Sequence, residues 1–279
     1  MSKLYDTIII GAGLSGIHIA NKLIEAGESV LILEKSRNIG GRIANRRFLK
    51  HNFALGLNSF QAWNQDLIMY AEKGRKSGVL NYSCAHYFSN GDITKWTKSL
   101  LGKENIKLQE LVHRIESFTA FNNVYTESSK YQARKVIICA PAHQSFSLLK
   151  NSGLNLYELN DVLYSQDIFY YTRTINTLDI KGWTKISEAR ENNYLYAKFK
   201  KNDWVEEDRN ALRKELDKKY VPFESHLHKW RYSQVLRTLN PRYQIHFKDK
   251  GIYLAGDYFF GSDLNSAIAS SNFLINQLS

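Results

Sequence analysis

The sequence lacks the features that mark secreted, membrane-spanning or metal-binding proteins. Its two cysteines, Cys84 and Cys139, are too few for a disulfide framework and lack the spacing of metal ligands, so we expect two reduced core thiols. No apolar run reaches the roughly 18 residues that a transmembrane helix needs. The beginning of the chain lacks the charged-then-apolar pattern of a secretory signal. We therefore expect a cytoplasmic protein.

Proline is scarce, and the charge has one dominant sign. Three prolines in 279 residues leave little room for long linkers, and 43% hydrophobic with 23% charged residues is typical of a folded protein. The net charge of +11 favours anionic partners. Because the basic residues are scattered and no recognition motif accompanies them, we expect no nucleic-acid binding.

A glycine-rich loop follows the first predicted strand. That strand covers Tyr5–Ile10, and its continuous apolar run is typical of a strand buried in a parallel sheet. A helical pattern over Leu14–Ala26 and a buried strand over Ser29–Leu33 complete a βαβ unit. The loop between the first strand and the helix reads Gly11-Ala12-Gly13-Leu14-Ser15-Gly16.

The loop has the spacing of a dinucleotide-binding motif. Gly11 permits the tight turn, Gly13 lets the backbone approach a pyrophosphate, and Gly16 lets the helix pack close to the strand. The N–H groups and dipole of the helix N-terminus favour phosphate. Glu34 follows the second strand, where an acidic residue can accept hydrogen bonds from ribose hydroxyls. This context, more than the glycines alone, predicts a dinucleotide site.

The residues after Glu34 resemble those of one flavoprotein family. The stretch Lys35–Arg42 ends in Gly40-Gly41-Arg42. It resembles the two-dinucleotide-binding flavoproteins of the amine oxidase type, in which a Gly-Gly-Arg follows the ribose-binding Glu and the Arg approaches the cofactor. The resemblance implies FAD. The alternative is NADP, because Lys35 and Arg37 could meet a 2′-phosphate, although the Glu34 carboxylate would repel it.

A second motif lies near the other end of the chain. Gly251–Asp257 and the following Ser262–Ala267 resemble the second FAD signature of the same family. The resemblance implies that Asp257 bonds hydroxyls of the cofactor and that the next helix points its positive N-terminus at the flavin. The alternative is that Asp257 only caps a helix or forms a turn.

A third stretch, His228–Val235, resembles renalase and contains Trp230-Arg231-Tyr232. The renalase family oxidises dihydronicotinamide isomers and passes the electrons through FAD to oxygen, giving hydrogen peroxide. The resemblance implies an oxidoreductase that takes a hydride from a small substrate, with a reduced nicotinamide nucleotide among the expected partners. Trp230 and Tyr232 would wall the pocket and Arg231 would meet an anionic group. Alternatively, the two aromatic residues only pack in the core.

Other functions on the same fold remain open. They are an amine or carotenoid-type oxidase and a flavin-binding protein without catalysis. The segment Ala54–Phe60 departs from the family, because an expected Asp is missing and Asn58 stands where a Gln is expected. His18 is expected to lie on the surface or to pack against the sheet and not to bind flavin covalently. No motif selects one lysine among Lys181, Lys185 and Lys198 for a catalytic role.

The predicted fold is α/β, with a Rossmann-type FAD-binding domain and an inserted, smaller α+β substrate domain. Residues 1–150 and 244–279 are assigned to the first domain and 151–243 to the second, which is aromatic and weakly periodic around one helix at Val205–Lys219. Cofactor contacts are expected from Gly11, Ala12, Gly13, Ser15, Gly16, Glu34, Lys35, Gly41, Arg42, Asn58, Val112, Gly256, Asp257 and Asn265.

Overall fold

A computed structural model describes most of the chain, namely residues 3–49, 51–54, 57, 59–89, 92–102, 106–175, 177–191, 193–201 and 209–278. The strands are β1 (Leu4–Ile10), β2 (Val30–Glu34), β3 (Asn45–Phe48), β4 (His51–Ala54), β5 (Ser59–Phe60), β6 (Asn81–Ser83), β7 (His86–Phe88), β8 (Ile106–Leu108), β9 (Val112–Ser117), β10 (Asn122–Thr126), β11 (Lys130–Ile138), β12 (Leu163–Tyr164), β13 (Asp167–Thr174), β14 (Thr184–Glu191), β15 (Tyr194–Lys201), β16 (Glu224–Trp230), β17 (Val235–Arg237) and β18 (Ile252–Leu254). The helices are α1 (Leu14–Glu25), α2 (Gln65–Lys76), α3 (Thr94–Lys98), α4 (Ala142–Asn151), α5 (Arg209–Tyr220) and α6 (Leu264–Leu278).

The principal sheet has the strand order β8-β2-β1-β11-β10-β9, with β18 beside β11. β8, β2, β1, β11 and β18 run parallel, whereas β10 is antiparallel to β9 and β11. Ile10 is in register with Ile138, which is in register with Leu254. The carboxyl ends of β1 and β18 therefore meet at the same edge of the sheet, where ligands bind in open α/β folds.

Apolar side chains on both faces of β1 and β2 explain why these strands are central. Ile8 and Ile9 point to opposite faces and are both fully buried. Ile17 on α1 and Ile268 on α6 are fully buried in the same core, where the two helices pack together. The predicted α/β fold with a Rossmann-type domain is confirmed, and the observed α1 ends one residue before the predicted helix.

The second sheet is antiparallel, with the order β14-β15-β13-β16. Alternate residues of its strands form an apolar core with α5, and buried members of this core include Ile168, Tyr170, Leu195, Phe199 and Leu216. These strands were not predicted, because the hydrophobic pattern in the middle of the chain is only weakly periodic. α5 covers part of the predicted Val205–Lys219 helix, whose beginning lies outside the described residues.

The chain divides into two compact units that differ from the predicted domain limits. The first is Met1–Ala44, Ala54–Leu163 and Val235–Ser279, and the second is Asn45–Phe53 and Tyr164–Gln234. The prediction began the second domain at residue 151 because the composition changes after Pro141. In the structure, however, α4 follows that proline and packs on β9 of the principal sheet. The compositional change is therefore not the boundary between the units.

One expectation about the cysteines is wrong. Cys84 is exposed, in the turn between β6 and β7, and its positive φ of 48° fits a tight turn. Cys139 follows β11, and burial strongly raises the pKa of its thiol, as expected of an inert core cysteine. In the described part of the chain, no helix is long and apolar enough to cross a membrane.

A buried polar network joins α1, α2 and α6. His18 Nε2 lies 2.7 Å from Asn272 Oδ1, and its Nδ1 lies 2.9 Å from the Tyr70 hydroxyl. Asn272 donates through Nδ2 to Asp66, which also pairs with Lys22 at 3.1 Å. Because Oδ1 of Asn272 can only accept, Nε2 of His18 carries the proton and Nδ1 accepts from Tyr70. His18 is thus packed in the core with both ring nitrogens hydrogen-bonded.

Stability should therefore depend on the protonation of His18. Burial lowers the pKa of His18 below its usual 6.5, so the unfolded chain binds this proton more readily than the folded protein. The free energy of unfolding should fall as the pH drops below 6.5. His18→Gln should flatten that slope and cost about 1–3 kcal/mol at neutral pH through lost hydrogen bonds. Urea unfolding of both proteins across this pH range tests the prediction, and equal slopes would contradict it.

Candidate functional site

The loop after β1 is shaped by two glycines that cannot carry a side chain. Gly11 has a φ of +108°, and a Cβ there would lie 2.9 Å from the Cys139 carbonyl oxygen. A Cβ on Gly16 would lie 2.1 Å from the Gly11 carbonyl oxygen. The first glycine therefore permits the turn and the second permits close packing of α1 on β1, which are the roles that the motif assigns to them.

Gly13 differs from both, because the space beside it is open. A Cβ on Gly13 would meet nothing within 4 Å, although this residue stands at the N-cap of α1. The Gly-Gly-Arg segment passes close by: Gly40 N–H donates to the Ala12 carbonyl at 2.8 Å, and a Cβ on Gly41 would lie 3.3 Å from Gly13 Cα. The first turn of α1 has no acidic residue. This open helix N-terminus fits a pyrophosphate.

Glu34 ends β2 as a buried carboxylate beside the same loop. Its Oε2 accepts from the Ala12 N–H at 2.8 Å, and its Oε1 accepts from the Ser36 N–H at 2.8 Å. Its backbone carbonyl accepts from the Glu110 N–H, two residues before the buried Val112. Each carboxylate oxygen has further lone pairs, so Glu34 can still accept bonds from ribose hydroxyls.

The two motifs from opposite ends of the chain meet in one ion pair. Arg42 Nη2 lies 2.5 Å from Asp257 Oδ1, and the Asp257 side chain is only 4% exposed. Asp257 follows β18, and the preceding Gly256 is fixed by donating its N–H to Ser270 Oγ on α6 at 3.0 Å. A buried carboxylate needs such a partner, and the pair offers both a cation and an acceptor at the carboxyl edge of the sheet.

The N-terminus of α6, which the resemblance directs at the flavin, is capped by a side chain of the protein. Asp263 Oδ1 accepts from the Ser266 N–H and hydroxyl, each at 2.7 Å, so an acidic cap occupies this first turn. The Asn265 amide is also engaged: it accepts from the Trp63 and Asn64 N–H groups and donates to the Gln61 carbonyl. In this arrangement Asn265 anchors the 61–64 loop to α6.

The remaining predicted contacts have other partners. Ser15 Oγ donates to the Ala267 carbonyl at 3.2 Å and so joins α1 to α6. Lys35 is exposed and donates to Gln144 at 2.9 Å. Asn58 lies outside the described residues. The structure thus brings together Ala12, Gly13, Glu34, Gly41, Arg42 and Asp257, whereas Ser15 and Asn265 serve helix and loop packing.

The predicted substrate-side residues lie in the second unit. Trp230 ends β16 opposite Asp167, with its ring centroid 6.3 Å from that of Phe169. Arg231 is exposed in the following turn, and Tyr232 contacts Tyr164 edge to face at 5.3 Å. No structural feature within this unit alone assigns these side chains to a ligand.

Sequence reasoning did not distinguish Lys198 from the other lysines. It is fully buried on β15, with its Nζ 4.3 Å above the Phe169 ring. Burial, and then the charge of Lys200, lower the pKa of Lys198 to about 7. The residues at alternating positions of Tyr194–Lys201 share one face of the strand with Lys198. Whether that face is buried depends on tertiary contacts, which the local sequence does not show. Among the described residues, no group of three or more His, Cys, Asp or Glu is placed to hold a metal ion.

Short segments of the chain are similar in sequence to known proteins. Residues 9–72 match the family model described as an NAD(P)-binding Rossmann-like domain. A segment of 58 residues is 47% identical to polyamine oxidase 7 of Oryza sativa subsp. japonica, covering 20% of this chain and 12% of that protein. A segment of 39 residues is 49% identical to the FAD-dependent oxidoreductase oblC of Cochliobolus heterostrophus, covering 14% and 8%. The chain thus matches only a small part of these relatives' length.

The similarity of fold extends over the whole chain. Cyclohexylamine oxidase from Brevibacterium oxydans superposes with a TM-score of 0.60 at 12% identity, covering 98% of this chain and 99% of that one. The chain therefore has a mixed α/β fold with a Rossmann-like dinucleotide-binding domain. Its fold is similar over the whole chain to that of this amine oxidase, and only a short segment is similar in sequence to polyamine oxidases.

Proposed function

We propose that this protein is an FAD-dependent oxidoreductase. The observation that carries the proposal is the convergence of two distant motifs in the Arg42–Asp257 ion pair, at the sheet edge that also holds the open N-terminus of α1. The local similarity to an FAD-dependent oxidoreductase and to a polyamine oxidase supports FAD over other dinucleotides.

Each residue of the site would have a separate task in holding the cofactor. The N–H groups around Gly13 and Gly41 would bind the pyrophosphate, and Glu34 would accept hydrogen bonds from the ribose. The positive charge of Arg42 would compensate the negative charges of both the cofactor's phosphates and the buried Asp257 carboxylate. When bound, FAD supplies the acceptor for a hydride and the route of two electrons to oxygen.

The alternative cofactor, NADP, fits this arrangement less well. Its 2′-phosphate would approach Glu34, whose buried carboxylate is already fixed by the Ala12 and Ser36 N–H groups. Lys35, which could otherwise meet the 2′-phosphate, donates to Gln144. Ribose hydroxyls, in contrast, can donate to the Glu34 oxygens without any local rearrangement. Charge repulsion therefore favours FAD.

For the substrate, we propose a reduced nicotinamide-type or similar small molecule that loses a hydride, with oxygen taking up two electrons and two protons as hydrogen peroxide. The support is the Trp230-Arg231-Tyr232 stretch, which resembles renalase. The second candidate is oxidation of an amine, favoured by the 47% identity over 58 residues to a polyamine oxidase. A flavin-binding role without catalysis is the third.

Anaerobic reduction separates these candidates. The FAD-loaded protein is mixed with dihydronicotinamide isomers or with polyamines, and the flavin absorbance is followed. Bleaching by dihydronicotinamide supports the first proposal, bleaching only by amines supports the second, and bleaching by neither supports the third.

Trp230→Ala should lower kcat/KM about tenfold or more by removing a pocket wall, whereas Phe118→Ala, at an exposed aromatic of the first unit, should not. Unchanged turnover in Trp230→Ala would contradict a substrate role for Trp230.

A further inference from the structure

Three exposed apolar residues lie near one end of the second unit's sheet. Ile175 follows β13, and Phe223 precedes β16. Arg173 is in register with Glu224, and the Phe223 N–H donates to the Arg173 carbonyl at 2.9 Å. Val221 directly follows α5 and donates its N–H to the Asp217 carbonyl. We call Ile175, Val221 and Phe223 the apolar tip.

The apolar tip is directed to solvent. Val221 is 77% exposed, and Phe223 and Ile175 are each 55% exposed. Single exposed apolar side chains are ordinary on protein surfaces, but three of them near one end of a sheet are a candidate contact surface.

The backbone of Val221 is left-handed where it closes the C-terminus of α5. Its φ of +44° is disfavoured for a β-branched residue, and the following Pro222 disfavours it further. Phe223, in contrast, is held in place: its ring meets Tyr194 edge to face at 5.4 Å, and the Arg173 guanidinium lies 5.9 Å from its centroid.

The charge beside the apolar tip is positive. The last turn of α5 carries the exposed Lys218 and Lys219, and only Tyr220 separates them from Val221. Two nearby carboxylates are each balanced by an arginine: Glu224 pairs with Arg173 at 3.0 Å, and Asp217 lies 3.4 Å from Arg213. A third, Glu191, lies 3.3 Å from His51. The net charge of the whole chain is +11, so the local field has the same sign as the global one.

We propose that the apolar tip docks the protein reversibly on a membrane surface that contains anionic lipids. The three apolar side chains enter the boundary between headgroups and acyl chains, while Lys218 and Lys219 meet the lipid phosphates. Neither contribution alone gives firm attachment, but apolar insertion combined with basic residues does. Charge complementarity favours this occupant over an uncharged surface.

Vesicle flotation tests the proposal. The wild-type protein should bind vesicles made of equal parts of phosphatidylcholine and phosphatidylglycerol, and it should not bind phosphatidylcholine alone. Binding should weaken as NaCl rises from about 0.05 M to about 0.5 M, because salt screens the lysines. The variant Ile175→Ser/Val221→Asn should bind about tenfold more weakly. The matched control is Leu236→Ser, at a residue of the first unit that is 64% exposed, and it should bind like the wild type.

The stability of Val221→Asn separates docking from a structural role. Asparagine tolerates a positive φ, so this variant should raise the unfolding midpoint by about 2 °C while it weakens vesicle binding. Absence of wild-type binding to the anionic vesicles would overturn the proposal. Equal loss of binding in Leu236→Ser would overturn it as well. So would an apolar-tip variant that changes the oligomeric state in sedimentation velocity and leaves vesicle binding unchanged.

Discussion

Replacing Gly13 with alanine is expected to abolish high-affinity FAD binding and to leave the fold intact. The backbone at Gly13 has φ −77° and ψ 179°, which any residue adopts, and an added Cβ meets nothing within 4 Å. The methyl group would instead occupy the space assigned to the pyrophosphate, and we expect the affinity to fall about 100-fold or more. Fluorescence titration with FAD and thermal unfolding of the cofactor-free protein measure the two effects.

Gly16→Ala is the matched comparison, because it should destabilise the fold itself, whereas Gly13→Ala should weaken only the binding of FAD. The new Cβ would lie 2.1 Å from the Gly11 carbonyl oxygen, so α1 must move away from β1. We expect the free energy of unfolding of the cofactor-free protein to fall by about 3 kcal/mol or more. If Gly13→Ala binds FAD like the wild type, the open space beside α1 is not the phosphate site. If Gly13→Ala unfolds like Gly16→Ala, its role is structural.

Removing Arg42 is expected to give the second large effect. Arg42→Met would leave the buried Asp257 carboxylate without its cation, at a cost of about 2 kcal/mol in the free energy of unfolding. FAD affinity should fall about 100-fold, because the cofactor's phosphates would lose a cation and face an uncompensated anion. Titration with FAD and urea unfolding provide the two measurements.

A double-mutant cycle with Asp257→Asn tests whether the two residues act as a pair. Asp257→Asn removes the charge and keeps the shape, so Arg42→Met/Asp257→Asn should be more stable than Arg42→Met alone. Coupling of about 1 kcal/mol or more is expected for a pair that is buried on one side. Strictly additive losses would mean that the ion pair does not connect the two motifs energetically.

The N-terminal half of the site was accessible to prediction because local signals agreed there. β1 and β2 are continuous apolar runs, and the glycines of the loop leave few alternatives to a turn followed by a helix. The predicted helix and the observed α1 both begin at Leu14. Gly256 and Asp257 were assigned through resemblance, and the ion pair with Arg42 could not be inferred from spacing.

The second unit was not accessible in the same way. In Tyr194–Lys201, for example, Leu195, Ala197 and Phe199 form an apolar face, but the other face carries tyrosines and lysines of which Tyr196 and Lys198 are also buried. The strand therefore lacks the simple alternation of apolar and polar residues that identifies a half-exposed strand. Membership of Asn45–Phe53 in this unit depends on chain topology and not on local composition. The Asp263 cap on α6 and the burial of Lys198 are likewise products of tertiary contacts.

The central claim, a site for FAD formed by both motifs, is tested most directly by cofactor competition. The purified, cofactor-free chain is titrated with FAD in the absence and presence of excess NADP, and the flavin absorbance and fluorescence are followed. We predict one FAD bound per chain with a perturbed flavin spectrum, no displacement by NADP, and loss of binding in Gly13→Ala. A chain that remains colourless with FAD, or that releases FAD in favour of NADP, would contradict the account.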